Sequence, residues 1–185
     1  MLTRLRHSGR LDRTYALSVR GDRWGQRPSR VGSAGVRFDP YADAPEYAHL
    51  QSLHRELVTG PLPAPLRELV NVRVSQINGC GFCLALHARL ARRTGIDQAV
   101  LDVLAGWRDS PLFDPQQRAA LALAEAMARI GDGARVPAHV WDNAAAVFDR
   151  EQLRSLLYAI ALIDAYNRIN VTAELTADVD AFFKK

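Results

Sequence analysis

From residue 45 onward, apolar residues recur every three or four positions, which is the period of an amphipathic α-helix. The first such stretch begins at Pro45, and the proline- and glycine-rich segment 60–63 marks its end. Its apolar positions are Tyr47, Leu50, Leu53 and Leu57. The pattern predicts a first helix between these limits.

A second helix is predicted to start near Pro65, because proline suits the first turn of a helix. Its apolar stripe consists of Leu66, Leu69, Val70 and Ile77. Asn78 and Gly79 interrupt this helix just before the first cysteine. A third helix is predicted from about Cys80 to Arg93, with Gly95 as its C-terminal stop.

Capping residues predict two helices in the next part of the chain. Asp97 suits the N-cap of a short helix that runs through Ala105. Asp114 and Gln117 have the spacing of a capping box, with a proline in the first turn between them. The helix that follows is rich in Ala and Leu and is expected to extend to Gly131.

The last two helices are predicted to begin at Pro137 and Asp149. The final one carries a broad apolar face that consists of Leu153, Leu156, Leu157, Ile160, Ile163 and Tyr166. No stretch sustains the period of two that is typical of strands, and no internal repeat stands out. The sequence therefore predicts an all-α fold of about seven or eight helices, with the cysteines at the N-terminus of a central one.

Residues 1–35 differ from the rest of the chain in composition and charge. They contain eight arginines and two aspartates, a net charge of +6, so the +4 of the whole chain leaves −2 for residues 36–185. Their mixture of Arg, Gly and Ser cannot bury enough surface to offset the entropy of ordering. We expect a flexible Arg-rich extension over 1–35, one domain over 36–185, and no nucleic-acid partner. A targeting arm and a start codon placed too far upstream stay open for the extension.

The chain lacks the features of a membrane or secreted protein. It has no run of about 18 apolar residues, and its N-terminus has no apolar segment of a secretory signal. Two cysteines do not make a disulfide-rich secreted scaffold. We therefore expect a cytoplasmic protein that has no membrane partner.

The two cysteines, Cys80 and Cys83, lie three residues apart at the start of the third helix. Positions three apart share one face of a helix and lie within the distance that a disulfide can bridge. The first turn of a helix also favours a thiolate over a thiol. The pair is therefore predicted to switch between dithiol and disulfide.

His87 and Glu68 are candidates for a proton relay beside this pair. His87 lies one turn beyond Cys83 on the same face, where an imidazole can exchange a proton with the sulfur directly or through water. Glu68 lies on the second helix, and a turn at 78–79 would fold that helix alongside the third, so its carboxylate could orient His87. Ser75 and Asn78 are expected to add hydrogen bonds to the turn.

The same residues leave two other interpretations. Cys80, Cys83, His87 and Glu68 could form a mixed zinc site, although the chain has no second cysteine pair. A thioredoxin-like redox motif would need a strand before the cysteines, and the segment before Cys80 has a helical pattern instead.

The motif resembles the core of the AhpD-like alkylhydroperoxidases in the carboxymuconolactone decarboxylase superfamily. The resemblance rests on Glu68, Cys80-Gly81-Phe82-Cys83 and His87, preceded by Ser75 and Asn78. The segment 165–171, which contains Asn167 and Arg168, looks like the Asn-Arg segment that closes many such domains. Together these features extend the resemblance over residues 36–183.

The resemblance implies an all-helical AhpD-like domain with thiol peroxidase activity and without flavin, haem or metal. It implies that Cys83 attacks an organic hydroperoxide, that Cys80 resolves the sulfenic acid to a disulfide, and that His87 and Glu68 relay protons. An external dithiol, such as a lipoyl-bearing protein, would then reduce the disulfide. The family also implies a homo-oligomer, a trimer or hexamer.

Phe82 departs from the best-known AhpD branch, which has a histidine immediately before the second cysteine. Phe82 and Leu86 would give the site an apolar lining that suits an organic hydroperoxide. Two alternatives stay open: a non-enzymatic redox sensor or oligomeric binding protein, and a decarboxylase-like member of the superfamily. The first needs the same thiol pair as the peroxidase, whereas the second would leave the pair idle.

Overall fold

A computed structural model describes residues 37, 39–175 and 179, and within this part of the chain all regular structure is helical. The elements in chain order are α1 (Pro45–Thr59), α2 (Ala64–Ile77), α3 (Gly81–Arg93), α4 (Gln98–Asp102), α5 (Pro115–Ala128), α6 (Ala138–Val147) and α7 (Arg150–Thr172). Short 3₁₀ turns cover Leu104–Gly106 and Ile130–Asp132. The predicted all-α fold and the place of the cysteines at the start of α3 are confirmed. The predicted extension over 1–35 lies outside the described residues.

The capping residues begin their helices as the sequence predicts. Asp114 and Gln117 form a reciprocal capping box at the start of α5, and Asp149 and Gln152 form another at the start of α7. Asp97 accepts a hydrogen bond from the backbone of α4. The predicted end of α5 at Gly131 is too late, because the chain tightens into a 3₁₀ turn after residue 128.

Helix α2 lies at the centre of the described structure. It packs against α3, α5 and α7, and every residue from 66 to 75 is buried. Val70 and Val74 belong to the larger apolar cluster, which α7 shares, whereas Leu69 and Val72 belong to a second cluster with Leu104. A helix that contacts apolar groups on both sides needs more than the single stripe that the sequence predicts. Polar side chains on α2 are therefore buried and must find partners inside the protein.

A buried carboxylate, Glu125 of α5, ties the second cluster together. It accepts hydrogen bonds from Arg73 Nε at 2.7 Å and Trp107 Nε1 at 3.0 Å, and Arg108 lies 2.5 Å from its other oxygen. Burial acts to raise the pKa of Glu125, but hydrogen bonds from Trp107, Arg108 and Arg73 outweigh it and hold the pKa below its usual value. Glu125 is therefore ionised at neutral pH and joins α2, α5 and the loop after α4.

Replacing this carboxylate by an amide, Glu125→Gln, is expected to lower the free energy of unfolding by about 3 kcal/mol, because the buried Arg73 loses its counter-charge. Because folding lowers the pKa of Glu125 from 4.5, the loss of unfolding free energy is fully present above pH 4.5. The loss shrinks as the pH falls through the lowered pKa of the folded protein. Urea unfolding at several pH values measures this difference in unfolding free energy. Glu151→Gln, at an exposed acid of α7, is the control, and an equal effect of both substitutions would contradict the prediction.

Candidate active site

A tight turn between α2 and α3 presents the two cysteines. Gly79 has φ +66, a left-handed conformation that favours glycine and lets the chain reverse. The backbone N–H of Cys80 then donates to the carbonyl of Ser75 at 3.1 Å. Cys80 becomes the N-cap of α3, and its sulfur accepts the backbone N–H of Cys83 at 3.3 Å. The sequence placed Cys80 inside the helix, whereas it lies one position before it.

The two sulfurs form one buried unit. Both cysteines are reduced, each is 2% exposed, and the sulfurs lie 2.7 Å apart, with Cys80 and Cys83 joined by an S–H to sulfur hydrogen bond. The amide nitrogen of Asn170 on α7 donates to the Cys83 sulfur at 3.1 Å. Oxidation to a disulfide would need only a small movement of the side chains.

The surroundings separate the two thiols in acidity. The hydrogen bond from the Cys83 thiol, helped by the Cys83 backbone N–H, lowers the pKa of Cys80 to about 6, although burial opposes this. The same hydrogen bond and burial raise the pKa of Cys83. The directions of the two pKa shifts favour a shared proton, with the negative charge of the pair on the Cys80 side. The sequence favoured a thiolate at either cysteine, and the family resemblance implied that Cys83 is the attacking one.

Glu68 and His87 form a second buried pair. His87 Nδ1 lies 2.7 Å from Glu68 Oε2, and the two residues are 5% and 1% exposed. A carboxylate only accepts hydrogen bonds, so Nδ1 carries a proton here and Nε2 is left as the nitrogen that can exchange one. The amide of Asn71 lies 3.3 Å from the same Nδ1. The expected contact between the second and third helices therefore brings Glu68 to His87.

The structure does not join the two pairs directly. Among the described residues, no hydrogen bond links the His87 ring to either sulfur. A cavity of about 20 Å³, enough for one water molecule, lies beside His87 and is also lined by Tyr166 and Asn71. Burial raises the pKa of Tyr166, whose ring lines the same cavity as His87. The cavity borders His87 but neither cysteine.

Side chains of α7 complete the site, and the sequence analysis assigned no role to them. Asn167 donates to Ser75 Oγ at 3.2 Å and accepts from the amide of Asn78 at 3.1 Å, which fixes the turn below the cysteines. Asn170 lies three residues further along the same face and reaches the sulfur. Two asparagines at this spacing within an apolar helix were the signal in the sequence.

His54 of α1 is a further residue that the sequence analysis did not identify. It lines the cavity beside His87, and burial lowers its pKa to about 4, with Glu68 acting in the opposite direction. Its imidazole is therefore neutral at physiological pH. No periodicity in the sequence could show that α1 carries a histidine to this side of the site.

Cys80 lies at the accessible side of the sulfur pair. It lines an open depression of about 390 Å³ together with Gly81, Phe82 and Asn170. Cys83 does not line this depression. Phe82 contributes apolar lining as expected, whereas Leu86 packs in the core.

The alternative of a mixed zinc site can be compared with this geometry. Within the described residues, no group of three or more His, Cys, Asp or Glu side chains is arranged so that it could hold a metal ion. In the same part of the chain, no helix is long and apolar enough to span a membrane.

The sequence is similar to a known protein family and to bacterial relatives. The sequence model of the carboxymuconolactone decarboxylase family matches residues 45–126. The uncharacterised protein YdfG of Bacillus subtilis is 35% identical over 105 residues, which are 57% of this chain and 71% of YdfG. The range matched by the family model contains Glu68, Cys80, Cys83 and His87, but not Asn167 or Asn170.

Solved structures show the same fold. A protein of unknown function from Agrobacterium tumefaciens, proposed to be the antioxidant defence protein AhpD, is 27% identical, with a TM-score of 0.71 over 76% of this chain and 97% of that one. The debrominase Bmp8 has a TM-score of 0.68 at 19% identity, over 91% of this chain and 89% of Bmp8. At that identity Bmp8 shares the fold alone.

Proposed function

The chain belongs to the carboxymuconolactone decarboxylase family and has AhpD-like structural neighbours, and from this we propose that it is a cysteine-dependent reductase of organic hydroperoxides. The family resemblance read from Cys80, Cys83 and His87 is confirmed. The activity is the step that we add.

One observation carries the proposal: two reduced sulfurs 2.7 Å apart lie in the same buried region as a carboxylate–imidazole pair. A decarboxylase would have no use for the close sulfur pair, whereas a thiol peroxidase that cycles through an internal disulfide needs both sulfurs. The lowered pKa of Cys80 supports this chemistry, because the thiolate is the form that attacks peroxide.

The cycle balances with these groups. A thiolate attacks the outer oxygen of the hydroperoxide, the O–O bond breaks, and the sulfur becomes a sulfenic acid while the alkoxide takes up a proton and leaves as alcohol. The second cysteine condenses with the sulfenic acid, which forms the disulfide and releases water. An external dithiol then exchanges with the disulfide and is itself oxidised.

The geometry supports Cys80 as the attacking sulfur, the reverse of the order implied by family resemblance. Cys80 has the lowered pKa, and it is the cysteine that lines the open depression. Cys83 has the raised pKa and receives the hydrogen bond from Asn170, which suits a sulfur that acts second and later leaves in the exchange with the reductant. Glu68 and His87 would accept and return protons during these steps.

The partners follow from the chemistry and from the family. We propose a small organic hydroperoxide as substrate, because Phe82 gives the depression an apolar wall. A dithiol such as a lipoyl group on a carrier protein would reduce the disulfide, and a trimer or hexamer is the expected assembly.

A turnover assay tests the function. The full-length protein is mixed with cumene hydroperoxide and dihydrolipoamide, and loss of peroxide is followed beside the double variant Cys80→Ser/Cys83→Ser. We expect at least about 100-fold faster consumption by the wild type. Oxidation of the pair by one equivalent without further turnover would favour the redox-sensing alternative. No reaction with any hydroperoxide would overturn the proposal.

A further inference from the structure

A hydrogen-bond chain reaches the sulfur pair from a segment that precedes α1. The hydroxyl of Tyr41 donates to Asn170 Oδ1 at 2.5 Å, and Asn170 Nδ2 donates to the Cys83 sulfur at 3.1 Å. Tyr41 is 129 residues from Asn170 in sequence, and both are buried. Both also lie outside the range matched by the family model.

The direction of the Asn170 amide decides what the sulfur receives. A side-chain amide can present either its oxygen or its NH₂ group to a neighbour. Because the Tyr41 hydroxyl occupies the oxygen, the NH₂ group is turned toward the sulfur. Without that hydroxyl, the amide could rotate and present an acceptor, which would disfavour negative charge on the pair.

Tyr41 is itself held firmly in place. Its ring packs at 4.5 Å from the ring of Tyr47 and 6.4 Å from that of Tyr166, between centroids. Upstream, the backbone N–H of Arg37 donates to the carbonyl of Ala173 at 3.1 Å, and the Arg37 side chain pairs with Glu174 at 2.6 Å. These contacts attach the segment before α1 to the C-terminal end of α7, next to Asn170.

We propose that Tyr41 and Asn170 are positioning residues that together hold an N–H donor on the sulfur pair and so stabilise its negative charge. The inference rests on the proposed function, since a charge on the pair matters only if the pair reacts. The mechanism does not need either side chain to touch the substrate. The titratable groups near the pair are Tyr41 before α1, Glu68 on α2, His87 on α3, Tyr166 on α7, and Glu174 after α7, which lines the same depression as Cys80.

The test measures the thiolate without any peroxide. The ultraviolet absorbance of the thiolate, and the rate of alkylation by iodoacetamide, are followed against pH in reduced wild type, Tyr41→Phe and Asn170→Asp. We expect Tyr41→Phe to raise the thiolate pKa by about one unit, because the N–H donor of Asn170 is no longer held on the sulfur pair. Asn170→Asp should raise it further, since a carboxylate offers only acceptors and a like charge.

Controls separate this effect from a loss of folding and from failure of the proposed function. Tyr158→Phe on α7 and Asn143→Asp on α6 alter exposed residues of the same types and should leave the titration unchanged. Tyr41→Phe removes a single oxygen, so it keeps the test open if Asn170→Asp does not fold. A folded Tyr41→Phe protein with the wild-type titration would overturn the inference. A wild type without peroxidase turnover would leave the titration result standing.

Discussion

Serine at either cysteine is expected to reduce hydroperoxide turnover to the level of the double variant, because the disulfide needs both sulfurs. The two single variants should differ in their first step. In Cys83→Ser, the thiolate of Cys80 should still react with one equivalent of peroxide and stop as a sulfenic acid, since no second sulfur can resolve it. In Cys80→Ser, the remaining Cys83 thiol should react at least about tenfold more slowly, because burial raises its pKa.

Trapping with dimedone followed by peptide mass spectrometry measures this step, with single turnover followed by stopped flow. The adduct is expected on Cys80 in Cys83→Ser. A fast adduct on Cys83 in Cys80→Ser, and none on Cys80, would restore the order implied by family resemblance. The rate of the first step in wild type should rise with pH through about 6 and then level off, as expected for the lowered pKa of Cys80.

The helices were predictable because their signals are local. Asp114 and Asp149 each offer a side-chain oxygen to the backbone of the following turn, and each begins its helix as predicted. The all-round burial of α2 was not predictable from its own residues. Arg73 looks like a solvent-facing charge in a sequence, and only the packing of α5 against this helix shows that it has a buried partner.

The contacts of the candidate site also fall into those that local sequence predicts and those that depend on packing. The disulfide reach of Cys80 and Cys83 follows from a spacing of three residues, and the Glu68–His87 contact follows from one turn between two helices. Asn170 reaches the sulfur across 87 residues, and Tyr41 reaches Asn170 across 129. Such contacts depend on how α7 and the segment before α1 pack on the cysteine helix, which no local pattern specifies. The acidity of the pair, by contrast, depends first on a local contact, since the hydrogen bond between the sulfurs lowers the pKa of Cys80 and raises that of Cys83.

Removing either member of the buried carboxylate–imidazole pair, by Glu68→Gln or His87→Gln, is expected to lower kcat/KM for the hydroperoxide by about 100-fold. Glu68 keeps the proton of His87 on Nδ1, so the ring stays in one tautomer. The other nitrogen, Nε2, is then the one that exchanges a proton. Glutamine at 68 loses the charge that stabilises the imidazolium. Steady-state kinetics over a range of pH measure the loss, and circular dichroism checks that each variant is folded.

The double variant Glu68→Gln/His87→Gln separates a relay from two independent contributions. If Glu68 acts only through His87, then removing it from a protein that already lacks His87 should cost little more, and the double variant should fall within about threefold of the His87 variant. Independent contributions would multiply instead. Glu56→Gln, an exposed acid on α1, should keep wild-type kinetics. Full activity in both single variants would show that protons reach the sulfurs by another route, and the neutral His54 and the Tyr166 hydroxyl in the same cavity would be the next groups to substitute.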